Sequence, residues 1–366
     1  MQKIKYIAIA AVSFVMLFGI AIWHIVLPDQ ETSRSERRNL AQAPALTAEG
    51  IFSGDYMEEL ETYLLDQFPG RDGWRTIKAV TRFDLFRQLD NNDVYLVGDS
   101  VFKMEYPLKE DQVAYAANKI NEVVSTYVPS ERIYYSIVPD KNYFVAEEHG
   151  YPHMDYDRLV EIMTSTVNGQ YLDIMNLLSV DDYYRTDTHW NQPDILDVAQ
   201  FLADGMGLGV SLTPEGGYTE NTLSPFYGVY CGQSALPVEP DVLTYLTSDA
   251  TNAASMTGVE FEGKWPVYTT TKFDGMDGYD VFAGGAQAVL TMESPLAKTD
   301  RELVIFRDSY GSSISPLFLE GYSKVTLIDL RYIAAKLLPD FVELNENQDI
   351  LFLYSTSLLN SGMLLK

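Results

Sequence analysis

Residues 302–319 read ELVIFRDSYGSSISPLFL, and this stretch decides the fold. Its first part, 302–306, is a short apolar run of the kind predicted for a buried strand, and 314–319 is predicted to be helical. The turn between them places Ser309 at the carboxyl edge of a sheet, close to backbone N–H groups that can stabilise an oxyanion. A plainer interpretation stays open, because Ser309 or Asp308 could simply cap the helix.

Outward from this stretch, short β-rich runs alternate with helical patterns. This alternation predicts βαβ units, and therefore an α/β fold with a mostly parallel sheet covered on both faces. Two amphipathic helical stretches, 56–68 and 73–89, come first, separated by Pro69-Gly70. The predicted strands are 94–97, 132–138, 302–306, 324–328 and 350–354, and the predicted helices are 109–126, 157–167 and 193–202. Residues from about 207 to 299 change to Gly-, Thr-, Tyr- and Asp-rich segments, which we interpret as an insertion decorating the sheet.

The N-terminus contains a candidate membrane span. Residues 6–27 hold no Asp, Glu, Lys or Arg, and this run reaches the roughly 20 residues that a helix needs to cross the hydrocarbon core. Trp23 and His24 lie near its outer end, where amphipathic rings suit the interface. No small-residue cleavage site follows, which favours an uncleaved signal anchor over a cleaved signal peptide. We expect a tail and anchor over 1–27, a juxtamembrane linker over 28–51 and a catalytic domain over 52–366, the last exported across the bacterial cytoplasmic membrane.

The composition excludes several classes of protein. The chain has 366 residues, of which 46% are hydrophobic and 21% charged, so it is globular rather than disordered. Its formal net charge is -26, and the part beyond the anchor carries -28 because the first 27 residues hold two lysines and no acidic residue. Such a surface repels phosphate backbones, so we expect no nucleic-acid partner. The single cysteine, Cys231, permits no internal disulfide.

Only four histidines occur, and one stands in a pattern typical of acid–base chemistry. His189 lies in the stretch 183–191 (YYRTDTHWN), directly before a predicted helix. Asp187, two residues earlier, can turn a carboxylate oxygen onto the imidazole and fix its tautomer and orientation. The alternative is a surface aspartate and a partly buried histidine that merely bracket the start of a helix.

Two other motifs are weaker candidates. Residues 98–100 spell Gly-Asp-Ser, the motif of ordinary SGNH esterases, but no helix start follows Ser100, and we predict a β-turn between two strands. His149 and His153 could join Asp155 in a metal site, yet Gly150 and Pro152 break the helix that usually presents such ligands. We therefore predict an exposed loop there and no metal.

The motif Asp187-Thr188-His189-Trp190 matches the Asp-x-His-Trp signature of a known family. The chain resembles the DHHW family and the AlgX/AlgJ-like alginate O-acetyltransferases, which look like SGNH hydrolases whose Asp and His precede the Ser. Thr188 departs from the pattern, since many DHHW members carry a second histidine there. Further family-like segments cover nearly the whole chain after the anchor, at 35–41, 53–54, 66–71, 138–141, 279–285 and 329–332.

This resemblance implies an SGNH-like three-layer α/β/α domain and a catalytic triad. Ser309 would be the nucleophile, His189 the general base and Asp187 the residue that orients His189. Acyl transfer by such a triad requires neither metal nor cofactor. The resemblance also implies substrate-binding positions, namely Arg331, Tyr332, Tyr310, Gly284 and Gly285. For Arg331 an ion pair with Asp329 or Asp308 is the alternative, and the glycines could equally serve a tight turn.

The function implied is an extracytoplasmic O-acetyltransferase that acts on a bacterial polysaccharide or cell-surface glycan. Its expected partner is a membrane-bound O-acyltransferase that supplies the acetyl group. Two alternatives stay open: a carbohydrate acetyl esterase with the same triad, and a non-catalytic glycan-binding or assembly component. The acidity of the chain favours a neutral or zwitterionic polysaccharide over a polyanionic one.

Overall fold

The computed structural model describes residues 2–33 and 35–366. The chain forms two compact units, the first comprising Met1–Asn92 with Cys231–Pro237 and the second Asp93–Tyr230 with Val238–Lys366. The predicted linker and the start of the predicted catalytic domain both lie within the first unit, and those boundaries remain predictions.

The first unit is mainly helical. Helix α1 (Gln2–Val26) is long and apolar enough to cross a membrane, judged by length and composition. Strands β1 (Thr32–Ser33) and β2 (Arg38–Asn39) form a small antiparallel pair. Helices α2 (Ala48–Ser53), α3 (Asp55–Asp66) and α4 (Arg71–Val80) follow, and a π-helical turn, Thr81–Leu85, extends α4. The predicted break at Pro69-Gly70 is confirmed, with Gly70 at a φ of 68° before α4.

A buried carboxylate ties the β1–β2 region to α3. Asp66 accepts hydrogen bonds from both terminal nitrogens of Arg38, at 2.8 and 2.5 Å, and from the backbone N–H of Ala41 at 2.9 Å. The hydrogen bonds from Arg38 lower the pKa of Asp66 to about 2. Residues 38–41 are therefore held against the end of α3.

The second unit is built on an eight-stranded sheet with the order β10-β9-β11-β13-β12-β14-β5-β6. Its strands are β5 (Ile133–Val138), β6 (Gln170–Tyr171), β9 (Ser255–Gly258), β10 (Phe261–Trp265), β11 (Val289–Glu293), β12 (Glu302–Arg307), β13 (Lys324–Ile328) and β14 (Asp349–Ser355). The strands from β13 to β6 are parallel, whereas β9, β10 and β11 add to one edge as antiparallel strands. The expected α/β fold with a mostly parallel sheet is confirmed, and strands from the predicted insertion extend that sheet.

Two antiparallel strand pairs and a set of helices complete the second unit. The first pair is the hairpin of β3 (Val94–Val97) with β4 (Ser100–Lys103), and the second is β7 (Thr219–Phe226) with β8 (Asp241–Thr247). The first confirms the turn predicted at Gly98-Asp99. The longer helices are α5 (Glu110–Tyr127), α6 (Asn142–His149), α7 (Tyr156–Thr166) and α8 (Leu196–Gly205), and the shorter ones are α10 (Asp249–Ala253), α11 (Tyr310–Ile314), α12 (Leu338–Phe341) and α13 (Thr356–Leu359). Helix α9 (Val229–Ser234) begins in this unit, and its residues from Cys231 onward belong to the first unit.

Two of the predicted helices differ in detail from the sequence expectation. The predicted helix over 314–319 is instead the α-helix α11 followed by a 3-10 helix, Ser315–Glu320, that has Pro316 in its first turn. Likewise, a 3-10 helix, Gln192–Ile195, with Pro193 precedes α8. Each proline lies in the first turn of its helix, where its missing N–H leaves no helical hydrogen bond unmade.

Alternating side chains of β12 fill two cores, one on each face of the sheet. Leu303 and Ile305 belong to the cluster that contains α8, and Val304 and Phe306 belong to the cluster that contains α5 and α7. Each such fully buried side chain contributes about 1.5–3 kcal/mol. Because β5, β12, β13 and β14 are parallel, the residues that follow them meet at one edge of the sheet.

Candidate active site

Ser309 follows β12 at this edge and does not cap the helix after it. The residue is partly buried, and its side chain makes no capping hydrogen bond to α11. Asp308 instead accepts from the backbone N–H of Tyr310 at 3.1 Å and from that of Ser355 at 2.8 Å. The neighbouring aspartate thus ties the turn to the end of β14, and the Ser309 hydroxyl is available for another contact.

That contact is His189, which in turn meets Asp187. The distance from His189 Nε2 to Ser309 Oγ is 2.7 Å, and His189 Nδ1 lies 2.6 Å from Asp187 Oδ1. Asp187 is fully buried, and it also accepts from the backbone N–H groups of His189 and Val229. With Nδ1–H donating to this carboxylate, Nε2 is the nitrogen that can accept the proton of Ser309. The structure therefore brings together the three residues predicted as a triad.

A buried network fixes the loop that carries Asp187. Thr186 donates its backbone N–H and its hydroxyl to Asp241 Oδ2, at 2.8 and 2.6 Å. The hydroxyl oxygen of Thr186 accepts from the backbone N–H of Gly228 at 3.0 Å, and its carbonyl accepts from that of Tyr230. A Cβ on Gly228 would lie 2.1 Å from the carbonyl oxygen of Thr186, so only glycine permits this approach.

Lys141 holds the same loop from the other side. The residue is almost fully buried, and its ammonium donates to the carbonyl oxygens of Val101, Tyr184 and Arg185 at 2.8, 2.7 and 3.0 Å. A buried ammonium is tolerated only when such acceptors replace its water shell. Lys141 lies in the family-like segment 138–141, where the sequence alone indicates no role for it.

Two tyrosines enclose His189. The ring of Tyr279 stacks on the imidazole with centroids 3.8 Å apart and an interplanar angle of 6°, while the ring of Tyr310 meets it edge-on at 5.1 Å. The hydroxyl of Tyr279 donates to Ser313 Oγ at 2.8 Å, and Trp190 Nε1 donates to the same oxygen at 2.9 Å. Burial raises the pKa of Tyr279 well above its usual value, so the ring stays neutral.

The sequence does not identify Tyr279 as a contact of His189. In the family-like segment 279–285, only the glycines suggest a role at the site. No periodicity or spacing links position 279 to position 189, so the sequence carried no signal for the stacking.

Of the predicted substrate contacts, Arg331 forms the ion pair that was its alternative. Its guanidinium donates to both carboxylate oxygens of Asp329, with Nε at 2.9 Å from Oδ1 and Nη2 at 2.6 Å from Oδ2. Burial alone would lower the pKa of Arg331, but the hydrogen bonds to Asp329 outweigh it and raise that pKa. The guanidinium also lies over the ring of Tyr332, which is 51% exposed.

Asp329 also faces a second arginine, Arg307, which immediately precedes the Asp308-Ser309 turn. Arg307 is buried, its Nη1 lies 3.8 Å from Asp329 Oδ2, and it donates to Ser312 Oγ at 3.1 Å. Burial lowers the pKa of Arg307, and the negative charge of Asp329 partly offsets this. Two arginines therefore share one aspartate at the carboxyl edge of the sheet.

The other residues predicted to contact substrate, Gly284, Gly285 and Tyr310, make contacts within the protein itself. Gly284 and Gly285 have φ angles of 65° and 88°, and the carbonyl oxygen of Gly285 lies 3.5 Å from Nη2 of Arg307. A Cβ on Gly285 would lie 2.3 Å from Asp280 Oδ1. Tyr310 is buried, and its hydroxyl donates to the carbonyl oxygen of Thr188 at 2.7 Å. Substrate binding by these three residues and by Arg331 and Tyr332 remains a prediction.

The weaker candidates have ordinary roles in the structure. Ser100 begins β4 beyond the Gly98-Asp99 turn. His149 ends α6, and Nδ1 of His153 lies 3.0 Å from the carbonyl oxygen of Met154. Asp155 caps α7 by accepting from the backbone N–H of Arg158 at 2.9 Å.

No protein-family model matches the chain, and no curated protein matches it. Solved structures do match the chain. The chain is similar to a DHHW family protein from Eubacterium siraeum, with a TM-score of 0.61, 20% identity, and coverage of 75% of this chain and 95% of that one. It is also similar to PatB1 from Bacillus cereus, with a TM-score of 0.57, 15% identity, and coverage of 75% and 99%.

A second PatB1 structure, which carries a sulfonyl adduct, gives a TM-score of 0.57 at 17% identity and covers 74% of this chain and 97% of that one. These likenesses span almost the full length of the matched proteins and, at such identities, concern the fold. The chain therefore has the fold of the DHHW family protein and of PatB1, which agrees with the family that its Asp-x-His-Trp motif resembles.

Proposed function

We propose that this chain is a serine-dependent O-acetyltransferase, anchored in the bacterial cytoplasmic membrane, that acetylates a polysaccharide or cell-surface glycan outside the cytoplasm. The observation that carries the proposal is the continuous hydrogen-bond chain from Ser309 through His189 to Asp187, at 2.7 and 2.6 Å. Nucleophile, base and orienting carboxylate in hydrogen-bond reach are the arrangement that acyl transfer needs. The same two distances favour catalysis over a purely glycan-binding role.

In the first half-reaction the Ser309 oxygen attacks the carbonyl carbon of an acetyl donor. A C–O bond forms, the serine proton passes to His189 Nε2, and the negative charge of Asp187 stabilises the imidazolium. Collapse of the tetrahedral species breaks the bond to the leaving group, which takes the proton from His189. The product is an acetyl ester on Ser309.

In the second half-reaction a sugar hydroxyl takes the place of the leaving group. His189 accepts its proton while the hydroxyl oxygen attacks the acetyl carbon, and the bond to Ser309 Oγ breaks with return of the proton to that oxygen. Water in place of the sugar would make the chain an acetyl esterase. We propose that Arg331, Tyr332 and Tyr310, with the turn at Gly284 and Gly285, help to place the sugar in this step.

We also propose a location for the chain and a source of its acetyl groups. Helix α1 would hold the chain in the membrane as a single-pass anchor, with the residues after α1 outside the cytoplasm. A membrane-bound O-acyltransferase would then carry acetyl groups across the membrane and deliver them to Ser309.

The test combines a chromogenic acetyl ester with neutral oligosaccharide acceptors. The full chain in mild detergent is incubated with the ester, with and without acceptor, and mass spectrometry follows acetyl on the peptide of Ser309 and on the sugar. Acetyl on the sugar supports transfer. Release of acetate alone, whichever acceptor is present, supports the esterase instead.

Two serine variants give a matched control for this experiment. We expect Ser309→Ala to lose at least about 10³-fold in turnover, as removal of a triad nucleophile does, and Ser100→Ala to retain activity. An arylsulfonyl fluoride provides a probe independent of the donor, since attack by Ser309 Oγ forms an S–O bond and expels fluoride. Wild-type activity or sulfonylation in Ser309→Ala would overturn the proposal.

A further inference from the structure

The segment 71–89, here called the α4 segment, is basic within a very acidic chain. It holds five basic residues against two acidic ones, a local charge of +3 in a chain whose net charge is -26. The basic residues are Arg71, Arg75, Lys78, Arg82 and Arg87, and the acidic ones are Asp72 and Asp84. Arg71 and Arg75 both pair with Glu36 of the same unit, and Arg71 also lies 3.8 Å from Asp66. Lys78 and Arg87 are exposed, so these two basic side chains can meet negative charge outside the protein.

The exposed side of the α4 segment carries large apolar side chains, interrupted by the exposed charged residues Asp72, Lys78, Asp84 and Arg87. Trp74, Ile77 and Leu85 follow one another at helical spacing, with exposed fractions of 54%, 57% and 71%. Ala79, on the opposite side, is fully buried. Lys78 is exposed beside this apolar stripe. The stripe continues into Phe86 and Leu89, which are also exposed.

Contacts within the first unit place its helices at the end of the apolar helix α1. The ring of His24, in the last turn of α1, meets the ring of Tyr63 on α3 edge-on at 5.7 Å. The hydroxyl of Tyr63 donates to Asp29 at 3.1 Å, just beyond α1. Leu27, just after α1, and Arg71, the first residue of α4, line the same cavity of about 610 Å³.

From these observations we propose that the α4 segment lies in the interface of an anionic phospholipid bilayer, with Trp74, Ile77 and Leu85 toward the acyl chains. This inference rests on the proposed placement of α1 in the membrane. An apolar stripe flanked by basic residues, with an aromatic ring at the boundary, is the pattern of helices that lie in the plane of a membrane surface. This contact of the α4 segment with the membrane would hold the first unit there at a second point besides α1.

A depth measurement on the full chain tests this inference. In a Cys231→Ser background, single cysteines are introduced by Ile77→Cys or Leu85→Cys and labelled with a small environment-sensitive fluorophore. The chains are reconstituted in vesicles of phosphatidylcholine and phosphatidylglycerol. We expect nitroxide lipids to quench these two labels at least about threefold more than a label at Asn347→Cys, an exposed position of the second unit, and iodide to show the reverse order.

Reversal of two exposed positive charges in the α4 segment provides the matched control. We expect Lys78→Glu combined with Arg87→Glu to reduce lipid quenching at Ile77→Cys in the anionic vesicles about twofold or more, and to leave it unchanged in pure phosphatidylcholine. Both side chains are exposed, so circular dichroism should show an unchanged fold.

Three outcomes would overturn the inference. Iodide access at Ile77→Cys equal to that at Asn347→Cys means that water covers the stripe. Formation of a disulfide-linked dimer through Ile77→Cys means that a second copy covers it. Release of the chain from vesicles by alkaline extraction means that α1 is not an anchor. None of these outcomes bears on the chemistry of Ser309, which the chromogenic assay reads separately.

Discussion

At the residue scale, Tyr279 is the side chain that most directly supports His189 without belonging to the triad. Its ring lies parallel to the imidazole at 3.8 Å, and its hydroxyl shares Ser313 with Trp190. An aromatic face stabilises a cation placed over it by about 0.5–2 kcal/mol, depending on burial. The stacking therefore favours the imidazolium that forms when His189 accepts the serine proton, and Tyr279 is a positioning residue for that step.

We expect Tyr279→Leu to lower kcat for a chromogenic acetyl ester about tenfold and to change KM little, because the lost interaction strengthens only when His189 is charged. Tyr279→Phe keeps the ring and serves as the control, with kcat within about threefold of the wild-type value. The measurement is steady-state kinetics of the full chain. Equal losses in both variants would mean that the hydroxyl bond to Ser313, and not the ring, matters.

At the scale of elements, the loop after β4 contains Glu105, a carboxyl group with a raised pKa. Burial raises the pKa of Glu105 to about 7, the negative charge of Asp140 adds to this, and Lys103, with Nζ 3.7 Å from Glu105 Oε1, only partly offsets it. Since the folded pKa lies above the ordinary value of 4.5, the folded chain binds this proton more tightly than the unfolded chain does. The contribution of Glu105 to stability is therefore greatest at low pH and falls as the pH rises from about 4.5 to 7.

Glu105→Gln should remove this penalty, since the amide is neutral at every pH. At pH 8 we expect the free energy of unfolding of the variant to exceed that of the wild type by about 2 kcal/mol. This difference should vanish near pH 4. Chemical unfolding of the full chain across this pH range gives the measurement. Glu346→Gln, at an exposed position, is the control and should show no such pH-dependent difference. A constant offset between wild type and Glu105→Gln at all pH values would contradict the explanation.

At the scale of the whole molecule, the net charge of -26 acts on every charged substrate that approaches. Screening shortens the reach of this field from about 30 Å at 0.01 M salt to about 10 Å at 0.1 M. For a polyanionic acceptor we therefore expect kcat/KM to rise several-fold over that range of salt, whereas a neutral acceptor should show little change. Acetyl transfer to matched neutral and uronate-containing oligosaccharides measures both. If kcat/KM for the anionic acceptor falls as salt is added, the positive charge of Arg331 and its surroundings outweighs the net negative charge in the electrostatic field at the site.

Much of this architecture was predictable because it depends on contacts between near neighbours in the chain. The apolar runs at 302–306, 324–328 and 350–354 predict buried strands, since a strand covered on both faces needs an uninterrupted apolar sequence. The separation of two residues between Asp187 and His189 allows their contact, and the structure decides it against the alternative that they only bracket a helix start. By contrast, β9, β10 and β11 lie in a region expected to decorate the sheet, and their antiparallel pairing at its edge left no clear signal in a Gly- and Thr-rich sequence.

Residue patterns along the chain are enough to identify the α/β class, the apolar N-terminal helix, the acidity of the chain and three residue types suited to acyl transfer. That Ser309 meets His189 and does not cap its helix follows from the folded structure, because these residues are 120 positions apart and local spacing cannot relate them. The same holds for the stacking of Tyr279 on His189 and for the sharing of Asp329 between Arg307 and Arg331. Packing of parallel strands places their carboxyl ends side by side, and that long-range constraint is what assembles the site.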